Sequence, residues 1–164
     1  MADIVINHAS KKSEYFQEFV RGNNEYKDFF ISLDKDEGFE EVVRPRSSDL
    51  FQEVELSNQK KYLWCTFSHD QIDLNFKNPR VLLFFINLIY LYLKHGIEVF
   101  RLDAVAFLWK EKGTNCLNLT QTHEVVKLIR TILDHYNQNT LLITETNLPN
   151  LENLSYFGNG DEAN

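Results

Sequence analysis

Three short apolar runs share one grammar. Ile4-Val5-Ile6 runs into Asn7-His8, the run from Ile97 to Leu102 into Asp103, and Leu141-Leu142-Ile143 into Thr144-Glu145. Each is rich in apolar or β-branched residues and stops at side chains that are costly to bury unpaired, which predicts strands with polar ends. Runs that are apolar throughout, rather than alternating, suit strands covered on both faces, as in a parallel sheet. Between the second and third runs, Val125, Leu128, Ile129, Ile132, Leu133 and Tyr136 recur at helical spacing behind Thr120, the expected N-cap. Before the second run, Pro79 opens and Gly96 closes another helix, whose apolar residues nearly surround it. Helix, strand, helix and strand in that order call for right-handed crossovers and an α/β fold on a parallel sheet.

Residues 9–78 break the pattern. They carry charged stretches (Lys11-Lys12, Asp34 to Glu41) and many aromatics, and lack long periodic helices. A structureless connection of that length is uncommon, so the stretch reads as an inserted subdomain.

Composition then acts mainly by exclusion. The 164 residues are 43% hydrophobic with 13 Phe and 7 Tyr, enough for one core. A net charge of −7 with no basic block argues against nucleic acid or an anionic membrane as partner. The most apolar run, Val81 to Leu93, contains Asn87 and falls short of the about 20 residues that span a bilayer. Cys65 and Cys116 match no metal spacing and read as free thiols of a reducing compartment. No charged n-region and apolar stretch follow Met1, so a cytoplasmic location is expected.

In parallel α/β proteins, sites form at the carboxyl ends of strands, which nominates His8, Asp103 and Glu145. Two carboxylates on neighbouring strand ends suit glycosidic chemistry, one attacking the anomeric carbon and the other shuttling the proton. Strands about 4.8 Å apart can bring them to the roughly 5 Å that retention of configuration requires. Arg101 leaves the same strand face as Asp103 and is expected to hold it ionised, as a nucleophile. Glu145 has no basic residue within three positions, so it is expected to keep a raised pKa and serve as the acid. The same residues could equally be a strand-end ion pair without catalytic meaning.

The segments Asp3 to His8, Phe100 to Val105 and Ile143 to Asn147, in that order, resemble three short signature regions of the α-amylase family (glycoside hydrolase family 13). The resemblance covers essentially the whole chain. It implies a fragment of a (β/α)8 TIM barrel, with residues 1–8 as barrel strand 3. Residues 9–70 become an inserted domain B, and residues 71–164 a segment running from helix 3 through strand 4 and helix 4 to strand 5. It further implies Asp103 as nucleophile, Glu145 as general acid/base, Arg101 as the arginine positioning the nucleophile and His8 as a ligand of the glucosyl ring. Asn7 matches a position that binds calcium in some members. With no acidic cluster nearby, a structural hydrogen-bonding role is expected there, with no metal and no cofactor.

Within the family the chain is most similar to the sucrose phosphorylase branch, through Arg44-Pro45-Arg46, Trp64 to Ser68, Gln71 to Asp73 and Lys110 to Cys116. That likeness implies an α-glucoside (sucrose or related) and inorganic phosphate as partners. Arg46 would hold phosphate and Arg44 support its loop, since a fork of N–H donors suits an oxyanion. Phe107 and Asn147 stand where that branch carries Tyr and His. Both lie on the acceptor side, so sucrose 6-phosphate, glucosylglycerate and glucosylglycerol stand beside sucrose as candidates. The alternatives are a hydrolase or transglucosylase of the same family, such as an α-glucosidase or amylosucrase, and a non-catalytic truncated remnant. Three strands cannot close a barrel of eight, and the family's third carboxylate, in an Asn-His-Asp motif on strand 7, is absent from the sequence. The isolated chain is therefore expected to have no turnover.

Overall fold

The computed structural model describes residues 1–137 and 139–164. In chain order the elements are β1 (Ala2–Val5), β2 (His8–Ser10), α1 (Glu14–Val20), β3 (Ser32–Leu33), β4 (Phe51–Leu56) and β5 (Gln59–Trp64). There follow β6 (Gln71–Asp73), α2 (Pro79–Lys94), β7 (Val99–Asp103), α3 (Thr120–Tyr136), β8 (Leu141–Thr144) and α4 (Asn150–Leu154). Among the described residues no helix is long and apolar enough to cross a membrane.

The three apolar runs form one parallel sheet in the order β1-β7-β8, with Asp3 opposite Arg101 and Arg101 opposite Ile143. Successive side chains on a strand point to opposite faces. Ile4, Phe100, Leu102 and Leu142 are buried, in one core with Val81, Phe85 and Ile89 of α2 and Val126, Ile129 and Leu133 of α3. The alternate residues of β1 and β8 are open, with Val5 and Leu141 each 46% exposed. The all-apolar runs predict cover on both faces, but three strands are too few to curl round on themselves. Asn164 lies on the free edge of β8, where its N–H donates to Leu142 O (2.7 Å) and its Oδ1 accepts from Leu142 N (2.9 Å).

Pro79 and Gly96 bound α2 as the sequence indicates. Asn78 Oδ1 caps Arg80 N (3.1 Å), and Gly96 takes the left-handed conformation with φ 78°. The start of α3 differs. Leu119 occupies the cap position and Thr120 is the first helical residue, so no side chain caps this helix.

The first run also ends earlier than its apolar pattern suggests. The chain leaves β1 at Val5, and His8 opens β2, which pairs antiparallel with β6, His8 opposite Asp73. The intervening segment therefore leaves and rejoins through this ladder. It carries an antiparallel sheet ordered β3-β5-β4. The β4–β5 hairpin turns on Ser57 and Asn58, both at positive φ (51° and 60°), the two-residue turn whose twist matches the strands. Aromatic edges hold the segment down. Phe30 meets Phe16 and Phe19, while Phe29 meets Phe84 of α2 with ring centroids 5.8 Å apart.

Candidate active site

The ends of β7 and β8 bring Asp103 and Glu145 together. Glu145 N donates to Leu102 O (2.9 Å), and Val105 N donates to Glu145 O (3.1 Å), so the two strand ends are tied through their backbones. Ala104, directly after Asp103, sits in the left-handed region at φ 55°, a conformation that strains a residue with a Cβ. The two carboxyls thus stand side by side at neighbouring strand ends. Arg101 reaches both, its guanidinium lying 2.7 Å from Glu145, 3.8 Å from Asp103 and 2.8 Å from Asp3.

Arg101 thus lies beside Asp103 and also pairs with Glu145 and Asp3. Glu145 has no basic neighbour in sequence, yet the parallel register sets Arg101 beside it. Its pKa is nevertheless raised above the usual carboxylate value. The hydrogen bond with Asp103 is the main cause, followed by burial and the Asp103 charge, while Arg101 and a hydrogen bond from Asn147 pull the other way. Asn147 is itself at positive φ (53°), a conformation Asn tolerates better than most residues. All three charged side chains remain about one-third exposed, so a solute can reach them (Arg101 33%, Asp103 28%, Glu145 33%).

His8 and Phe107 share a second grouping. The Phe67 ring lies 5.1 Å from His8 and 5.4 Å from Phe107. The Gln71 amide donates to His8 Nε2 (2.8 Å), and burial pushes the imidazole pKa down against the raising pull of Asp73. Arg44 donates to Ser48 O, and Ser48 Oγ in turn donates to Phe67 O (3.2 Å), so the loop is tied to the Phe67 backbone. Burial lowers the Arg44 pKa. Arg46 is exposed in this loop. Among the described residues, neither arginine is placed in contact with the carboxylate pair.

Below His8 lies a buried network in which the sequence assigned a role to Asn7 alone. Asp73 Oδ2 accepts from Asn7 Nδ2 (2.9 Å), Thr66 Oγ1 (2.6 Å) and Lys110 Nζ (2.7 Å), and Asp73 Oδ1 accepts from Thr66 N (3.0 Å). Lys110 Nζ also donates to Asn7 Oδ1 (2.7 Å). Asn7 thus has a structural bonding role, with an ammonium against its oxygen. Burial drives the Lys110 pKa down while Asp73 opposes it. The network joins the end of β1, the return of the inserted segment and the loop after β7. Asp3, the second missed residue, could be found only from strand register, since nothing in sequence spacing links it to Arg101.

Comparison with known proteins agrees with this layout. A family model described as "Alpha amylase, catalytic domain" matches residues 1–164. Glucosylglycerate phosphorylase of Spirochaeta thermophila is 48% identical over 163 residues, covering 99% of this chain and 28% of that protein. The Escherichia coli protein of the same name is 44% identical over 163 residues, covering 99% of this chain and 29% of its own length. Among solved structures, sucrose 6F-phosphate phosphorylase from Thermoanaerobacter thermosaccharolyticum superposes with a TM-score of 0.76 at 25% identity, over 87% of this chain and 32% of that one. The chain therefore spans less than a third of the length of each of these proteins, and its parallel sheet is an arc of their (β/α)8 barrel. With its full length matched and its carboxylates at the barrel-strand ends, the chain belongs to the α-amylase catalytic-domain family.

Proposed function

We propose that residues 1–164 are the nucleophile- and acid-bearing part of an α-glucosyl phosphorylase, acting on an α-glucoside of a small hydroxy acid of the glucosylglycerate type. The observation that carries this reading is the placing of Asp103 and Glu145 at adjoining strand ends, both within ion-pair reach of one guanidinium (3.8 and 2.7 Å). Asp103 attacks the anomeric carbon while Glu145 gives its proton to the departing glycosidic oxygen. Phosphate then attacks the glucosyl ester, the ionised Glu145 takes up its proton, and glucose 1-phosphate leaves with configuration retained. The raised Glu145 pKa favours the first step, and Asn147 and Arg101 support the ionised form needed in the second. His8 binds the glucosyl ring, and the Arg44–Arg46 loop supplies phosphate contacts. Identities of 48% and 44% to glucosylglycerate phosphorylases, together with Phe107 and Asn147, favour glycerate over fructose as leaving group.

The test is a chimera in which residues 1–164 replace the corresponding segment of the Spirochaeta thermophila enzyme. Phosphate-dependent release of glucose 1-phosphate from glucosylglycerate is expected, and Asp103→Asn should lower it by about a thousandfold or more. The 164-residue chain alone should give none, lacking the third carboxylate. A soluble, folded chimera that hydrolyses the glucoside without need of phosphate would overturn the phosphorylase reading.

A further inference from the structure

A cleft of about 370 Å³ lies between the inserted segment and the loop after β7, with Lys110 of the buried network in its lining. That volume is within the range of about 300–1,000 Å³ typical of small-molecule sites. Its walls are aromatic, with Phe30, Phe39 and Trp64 from the inserted segment, Phe76 from the approach to α2 and Trp109 from the loop. Phe30, Trp64 and Phe76 are deeply buried, whereas Phe39 and Trp109 are half-buried and present accessible ring surface. The rim is polar and exposed. Asp28 and Glu111 carry acceptors and Lys77 and Lys112 donors, with Lys77 Nζ bridged to Glu111 (2.7 Å) and 5.9 Å from the Trp109 ring centroid. The Lys112 stem lies against the backbone of Gly38, where a Cβ would clash with it.

Lys110, which also lines the cleft, is neutralised by Asp73, and Lys77 by Glu111 at 2.7 Å. The rim charges that remain are Asp28 and Lys112, with no net charge to select an ion. Aromatic faces with paired donors and acceptors around them suit a ring whose C–H face is apolar and whose edge carries hydroxyls. We propose that this cleft is a second, non-catalytic carbohydrate site, which takes a neutral mono- or disaccharide stacked on Trp109.

The chain has two tryptophans, and both line this cleft, so their fluorescence reports on it and not on the carboxylate pair. Maltose and methyl α-D-glucopyranoside should each quench the emission of the 164-residue chain saturably, with a dissociation constant of about a millimolar. The quench should persist in the Asp103→Asn/Glu145→Gln double variant. Trp109→Ala should weaken it at least about tenfold, read from the remaining Trp64. Trp109→Phe, which keeps a ring, should retain most of it. Should Trp109→Ala fail to fold, the exposed rim variants Asp28→Ala and Glu111→Ala give the same reading and are expected to weaken binding severalfold. Absence of a saturable signal, binding indifferent to both rim changes, or a signal abolished by the carboxylate double variant overturns the proposal.

Discussion

At the scale of the residue, Glu145 is held between opposing influences. Asp103 raises its pKa through a shared hydrogen bond and a like charge, and Arg101 and Asn147 lower it. Replacing Asp103 with Asn removes the like charge, so the Glu145 carboxyl should titrate at lower pH. Arg101→Gln and Asn147→Ala each remove a stabiliser of the anion and should move it higher still. Carbonyl-carbon NMR titration of Glu145 in the three variants checks all three directions. The sign for stability follows by linkage. With the folded-state pKa raised, Glu145 stabilises the fold fully below the ordinary carboxylate value, and that contribution fades as pH rises through the raised one. His8 works in the opposite sense, since its folded-state pKa is depressed. Its contribution is present above the ordinary value of 6.5 and is lost as pH falls through the depressed one. Asp103 and Glu145 were legible in the sequence because a charged residue ending an apolar run is hard to place anywhere but a strand end. Asp3 was not legible, because its partner is set by register between strands almost a hundred residues apart.

At the scale of the element, one buried ion pair fastens the inserted segment to the sheet. Lys110 Nζ and Asp73 Oδ2 are 2.7 Å apart, with side chains 5% and 0% exposed. Removing one partner leaves the other charged and buried, so Lys110→Met should destabilise the chain by about 3–5 kcal/mol, measured by urea unfolding. Lys110→Met combined with Asp73→Asn should cost clearly less than the sum of the two single changes, because neither charge is then left unpaired. The hairpin at Ser57 and Asn58 offers the reverse effect. Both residues take the left-handed conformation, so Asn58→Gly relieves strain and should stabilise by about 1 kcal/mol in the same assay. The helices and parallel strands of this fold were readable because their periods of 3.6 and of continuous apolar residues are long-range regularities. The split of the first run into β1 and β2 was not readable. Ile6 is apolar and buried like the strand residues before it, and only the pairing of His8 with Asp73 marks a new ladder.

At the scale of the whole molecule, the parallel sheet has one face under helices and one face open. Val5, Leu141 and Ile143 on the open face are apolar and 46%, 46% and 38% exposed, and β1 forms an edge strand beside them. In the relatives, whose chains are more than twice as long, the sheet continues round the barrel. The same residue should therefore answer differently in two settings. In the 164-residue chain, Val5→Thr exchanges an exposed methyl for a hydroxyl and should change the unfolding free energy by less than about 0.5 kcal/mol. In the chimera the surrounding barrel covers that face, and the same change buries a hydroxyl, costing about 1–3 kcal/mol. The uncovered chain should also self-associate as its concentration rises, since an apolar strip beside a free strand edge invites pairing. Sedimentation velocity should show that association weakening in the Val5→Thr/Ile143→Thr double variant. A chain that stays monomeric at all concentrations, with Val5→Thr equally costly in both settings, would mean that this face is closed within the 164 residues themselves and that the open sheet is not how the chain folds.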